Sequence, residues 1–155
     1  MGHAAHSHQE PQGVALSEAA REVLIASGEQ WTPMRAAVYR TIAEFIKPVS
    51  AYDIADGLSR AESRRIAANS VYRILDIFVE KNIVLRIESK NSYLVNPHPG
   101  CRHDCIFLLC DVCGRVDHID NDLIAANIRD VVKTVGFNVK RPVMEVYGTC
   151  TNCNN

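Results

Sequence analysis

Four of the chain's six cysteines fall within residues 101–114, CRHDCIFLLCDVCG, and the other two follow at Cys150 and Cys153. Cys110-x-x-Cys113 and Cys150-x-x-Cys153 form a C-x2-C … C-x2-C pair. Two intervening residues let a tight knuckle turn both sulfurs toward one ion, and two knuckles supply the four thiolates of a closed tetrahedral zinc site. Gly114, directly after the first knuckle, suits a turn that needs positive φ. The rival uses of these thiols are disulfides or a redox pair. The first ten residues, MGHAAHSHQE, have no apolar core of a secretory leader. The reading is therefore a cytoplasmic chain, where thiols stay reduced and clustered cysteines bind metal more often than they pair. A zinc staple of this kind can contribute on the order of 10 kcal/mol of apparent binding energy.

A second set of soft ligands remains: Cys101, His103, Cys105 and His118, with His98 and Asp117 nearby. They cannot join a tetrahedral site already filled by four cysteines. His103 and Cys105 alternate along a predicted strand and so share one face. His118, on the next strand, can face them. A mixed sulfur and nitrogen set suits Zn(II) better than Mg(II) or Ca(II). Incidental histidines and buried thiols are the bland alternative, and a redox-sensing pair at Cys101 and Cys105 is a third. Clustering beside a hinge favours a second metal site, hence two zinc ions per chain. His3, His6 and His8 belong to an expected disordered tail over residues 1–15, with at most weak metal scavenging.

The elements that must position these residues divide at Asn96-Pro97-His98-Pro99-Gly100. Residues 1–96 contain no cysteine and residues 97–155 contain all six. At 155 residues and 47% hydrophobic, the chain can bury a core as one domain or two. Net charge is −1, but Arg60, Arg64, Arg65 and Arg73 crowd residues 60–73 against Glu62 alone. A local cationic patch on a neutral body suits site-specific DNA binding; a solvated arginine-rich turn is the other reading.

Before the break the pattern is helical. Residues 17–27 close at Gly28, Thr32-Pro33 opens a helix that ends before Pro48, and Ser50 with Asp53 opens a third. Over residues 68–81, Val71, Leu75 and Phe78 mark one face, and Asn69, Tyr72, Arg73 and Asp76 the other. Runs at 83–88 and 92–95 around Ser89-Lys90-Asn91 predict a hairpin. Helices followed by a hairpin are the order of a winged helix-turn-helix, whose last helix enters the major groove. After the break, strands are predicted at 105–110, 115–119, 137–139 and 143–148, with a helix ending at Gly136. The fold class is α+β: tail 1–15, winged helix 16–96, hinge 97–100, and a small metal-binding α/β dimerisation domain over 101–155.

The segments WTPMR, VSAYD, SVYRILD, CDVCG and YGTCTNC resemble the ferric uptake regulator family, a resemblance that spans roughly residues 17–153. AYD at 51–53 and ESKNSYLV at 88–95 are most similar to its zinc uptake regulator branch. The resemblance implies a homodimeric, zinc-responsive repressor of zinc-uptake genes that binds operator DNA and is not an enzyme. It also implies structural zinc on Cys110, Cys113, Cys150 and Cys153, and sensory ligands at His103 and His118. DNA contacts are expected from Tyr72, Arg73, Asn69 and Ser70, and from Arg65, Arg64 and Arg60. Leu85 and Asn96 stand where related zinc regulators carry a sensory histidine and cysteine. Cys101 is expected to replace one missing ligand, and His98 or Cys105 the other. A same-fold sensor of iron, peroxide or another metal is the first alternative. A zinc enzyme or thiol redox protein is the second, but residues 97–144 contain no glutamate and hence no HExxH or HxE motif.

Overall fold

The computed structural model describes residues 12–100, 104–140 and 143–154. Its elements, in order, are α1 (Val14–Ala26), α2 (Pro33–Glu44), β1 (Val49–Ser50), α3 (Ala51–Ala61), α4 (Ala68–Glu80), β2 (Val84–Ile87), β3 (Ser92–Val95), β4 (Cys105–Cys110), β5 (Val116–Asp120), α5 (Asp122–Lys133) and β6 (Met144–Gly148). Helix α1 begins at Val14, so residues 14–15, expected as tail, are helical. His3, His6 and His8 lie outside the described residues.

The helix starts follow from their caps. Thr32 Oγ1 accepts the Arg35 amide at 3.3 Å, with Pro33 at the first helical position. Ser50 Oγ accepts the Asp53 amide at 3.1 Å and donates to the Asp53 carboxylate at 2.8 Å. Between α3 and α4, Ser59 Oγ accepts the Ile66 amide at 2.9 Å and so fixes the turn that delivers α4.

Helices α2, α3 and α4 bury Val38, Ile42, Ile54, Leu58, Val71, Leu75 and Phe78 in one core, which α1 joins through Ala20 and Leu24. Trp31 stacks on Phe78 with ring centroids 6.0 Å apart. Burying four helices' apolar stripes together leaves the opposite stripe of α4 in solvent, and that stripe carries Asn69, Arg73 and Asp76. Strands β1, β3 and β2 form an antiparallel sheet in that order; β2 and β3 are the expected hairpin, closed by a 3-10 turn at Glu88–Lys90 with Asn91 left-handed.

A second sheet has the order β5-β4-β6, with β4 antiparallel to β5 and parallel to β6. Residues 137–139, expected as a strand, are not one. Gly136 turns at φ +78°, and the Phe137 and Gly136 amides donate back to the carbonyls of Val132 and Lys133. These two bonds are the left-handed C-terminal cap of α5, which claims the backbone a strand would have needed. No described helix is long and apolar enough to cross a membrane.

Candidate metal centres and nucleic-acid interface

Parallel pairing of β4 and β6 puts Cys110 opposite Gly148. The chain leaves both strands at the same end of the sheet, so the two knuckles meet there. The Asp111 amide donates to the Gly148 carbonyl at 2.9 Å, and the Cys150 amide donates to Cys110 Sγ at 3.4 Å. Gly114 adopts the expected positive φ, +73°, and its amide closes the first knuckle on the Cys110 carbonyl at 3.0 Å. The sulfurs of Cys110, Cys113, Cys150 and Cys153 all lie within 4.8 Å of one another. Cys113 and Cys150 are 3.8 Å apart, and none of the five described cysteines is disulfide-bonded. A tetrahedral ion with metal–sulfur bonds of about 2.3 Å spaces its sulfurs about 3.8 Å apart, whereas a disulfide needs about 2.05 Å. The donor set fits zinc. Backbone amides of Cys150 and Cys113 pull the Cys110 thiol down to about 6, poised to ligate as a thiolate at neutral pH.

A second group forms where the loop after β3 meets this sheet. The register pairs Cys105 with Asp120 and Phe107 with His118, so all four share one face. His98 arrives from that loop, its ring centroid 6.2 Å from that of His118. Donor atoms of His98, His118 and Asp120 lie within 4.8 Å of one another. Cys105 stands beside this group, its thiol donating to Asp120 Oδ1 at 3.3 Å; burial first, then Asp120, push that thiol up to about 12. Asp117 pairs with Leu108 on the opposite face and bonds Arg115 at 2.9 Å. Cys101 and His103 lie outside the described residues.

Asp120 is the member that the sequence reading missed. Its signal was alternation with His118 along one strand, usable only once the hairpin register is known. Leu85 and Asn96, which the resemblance puts at two sensory positions, have structural occupations. Leu85 packs with Cys105 against the buried cluster of Ile87, Phe107 and Leu109. Asn96 is buried, its side chain bonded to the Asn82 carbonyl at 2.8 Å and to the His98 amide at 2.9 Å.

On α4, Asn69, Ser70 and Arg73 are exposed, as are Arg60, Arg64 and Arg65 before it. Tyr72 is half-buried: its ring meets Tyr52 edge-on at 6.2 Å, and its hydroxyl accepts from Asn91 at 3.3 Å. Tyr72 therefore ties the helix to the wing as well as edging the exposed face. Arg64 is partly neutralised by Glu62, 3.1 Å away.

Residues 26–147 match the model of the ferric uptake regulator family. This chain belongs to the ferric uptake regulator family. It is thereby a member of a family of transcriptional regulators, not of enzymes. The zinc uptake regulation protein of Escherichia coli (strain K12) is 33% identical over 127 residues, 79% of this chain and 71% of that protein. The ferric uptake regulation protein of Campylobacter jejuni is 26% identical over 146 residues, 90% of this chain and 89% of that protein. Among solved structures, holo XcZur superposes with a TM-score of 0.79 at 31% identity, covering 88% of this chain and 94% of that one. A zinc uptake regulator complexed with zinc and DNA gives a TM-score of 0.79 at 28% identity, covering 88% and 91%. The family fold explains why this chain's second sheet and winged helix occur together, and the likeness to zinc regulators accords with the resemblance of its AYD and ESKNSYLV segments.

Proposed function

We infer that this chain is a zinc-responsive transcriptional repressor that binds operator DNA as a metal-loaded homodimer and represses zinc-uptake genes, acting in the cytoplasm. The observation that carries this reading is the His98–His118–Asp120 group, because its donors come from both the hinge and the second sheet. Cys110, Cys113, Cys150 and Cys153 hold a structural zinc. His98, His118 and Asp120 hold a sensory one, with the fourth donor from Cys101, His103 or Cys105, giving two zinc ions per chain. The chain divides into a winged helix up to residue 96, a hinge over 97–100, and a dimerisation domain beyond. Likeness to a regulator solved with zinc and DNA supports the reading.

Zinc in the sensory site would supply a redox-inert cross-link between hinge and sheet. The residues that hold it set the spacing of two recognition helices across the dimer. Metal acts through its differential affinity for the two arrangements, and a mostly open to mostly closed shift takes roughly 3–5 kcal/mol. Arg60 and Arg65 attract phosphates, while Arg73 and Asn69 reach base edges.

The test is to enrich random duplex DNA on zinc-loaded protein, then titrate the enriched duplex with zinc, with iron(II) and with a chelator present. Zinc-dependent, chelator-reversible binding is expected. Binding that ignores zinc, or that only iron restores, would overturn zinc responsiveness.

A further inference from the structure

We propose that Asn96 is a positioning residue for the sensory site: it aims His98 at His118 and Asp120 and fastens that ligand to the C-terminal end of the DNA-reading helix. The proposal rests on the sensory-site reading above. Asn96 is 4% exposed, and both polar atoms of its side chain are used. Nδ2 donates to the Asn82 carbonyl at 2.8 Å, and Oδ1 accepts the His98 amide at 2.9 Å. Those two contacts, one donated and one accepted, fix which way the amide faces. An aspartate lacks the donor, and a cysteine would supply neither bond well.

Asn82 is itself the cap of α4. It sits left-handed at φ +57°, and the Ile83 amide reaches back to the Phe78 carbonyl at 2.8 Å. The same Asn82 carbonyl accepts the Gly100 amide at 3.2 Å, and the Asn96 amide bonds the Ile83 carbonyl at 2.9 Å. Residues 96–100 are thus a strap fastened at both ends to the corner between α4 and β2. Gly100 completes the seat: at φ +79°, a Cβ there would stand 3.0 Å from Val23 Cγ2 of α1. His98 sits midway along the strap with its ring toward His118. A metal held by His98 together with His118 and Asp120 would therefore be linked, through Asn96, to the end of α4.

The experiment uses the full chain with its structural zinc retained and Co(II) as the probe of the second site, on wild type, Asn96→Ala, His98→Ala and the double variant. Asn96→Ala is expected to weaken the exchangeable Co(II) by about 10–100-fold, the usual effect of losing a ligand's supporting hydrogen bond. The double variant should bind within about twofold of His98→Ala, because Asn96 acts through His98. In metal-free Asn96→Ala, the His98 amide should lose its protection from hydrogen exchange. Asn96→Cys should weaken Co(II) likewise and add no intensity to the thiolate-to-cobalt absorption. Additive losses in the double variant would mean a general structural role and overturn the proposal, as would a gain in thiolate absorption for Asn96→Cys. Unchanged Co(II) affinity in Asn96→Ala, with His98→Ala impaired, would overturn the proposal and leave the sensory reading standing. Unchanged affinity in His98→Ala would remove the sensory role of His98, and the proposal with it.

Discussion

Cys110 and Cys105 stand at the two ends of β4 and have opposite thiol chemistry. Backbone amides of Cys150 and Cys113 hold Cys110 near 6, while burial and the Asp120 carboxylate lift Cys105 to about 12. The reagent-reactive form of cysteine is the thiolate. In metal-free protein at pH 8, mass-mapped alkylation should therefore leave Cys105 largely unmodified. Asp120→Asn, which removes the carboxylate's charge, should speed its labelling. The stability consequence has a definite sign: a thiol whose folded pKa is raised stabilises fully below the unfolded value of about 8.5. That contribution is lost as pH rises from there toward 12, so apo protein should melt lower at pH 10 than at pH 8. The cysteine knuckles were legible in the sequence because four thiols at fixed spacing have few other uses. Asp120 was not: a carboxylate two residues from a histidine is commonplace, and only the pairing of Cys105 with Asp120 gives it meaning.

Helix α4 and its caps show how much each element's pattern revealed. Alternating apolar and polar stripes place Asn69 and Arg73 outward from sequence alone, since the helical period decides which residues share a face. Arg73→Ala should therefore cost about 1–3 kcal/mol of operator binding and relax its specificity, and Arg65→Ala should weaken all duplexes alike and lower the salt slope by about 1. Salt-dependent titration of enriched and scrambled duplexes separates the two. The strand expected at 137–139 failed for a local reason, the left-handed cap at Gly136, which a three-residue apolar run cannot signal. Two glycines at positive φ test this backbone cost. Gly136 has open space around it, so Gly136→Ala should cost about 1–2 kcal/mol from backbone strain alone. Gly100→Ala should cost more, because its Cβ would also press on Val23. Thermal melts of the two variants make the comparison.

At the scale of the molecule, the second sheet and α5 leave apolar surface uncovered: Leu123 is 65% exposed, Val131 67% and Val146 53%. So much apolar area on one small unit is what a subunit interface needs, and its core is correspondingly slight. Val131→Glu should shift sedimentation from dimer toward monomer without releasing the zinc of the cysteine knuckles. The division into a cysteine-free and a cysteine-bearing half was plain in composition. The seam between them was not, because only folding brings Asn82 to Asn96 and Asp120 to His98. The most direct measurement is zinc per chain, before and after dialysis against a moderate chelator, for wild type and His118→Ala, with binding to the enriched duplex followed on the same samples. Two zincs falling to one, His118→Ala starting at one, and DNA binding present only in the two-zinc protein are the predicted result. One zinc in both proteins, or DNA binding that survives the chelator, would contradict a sensory site at the hinge.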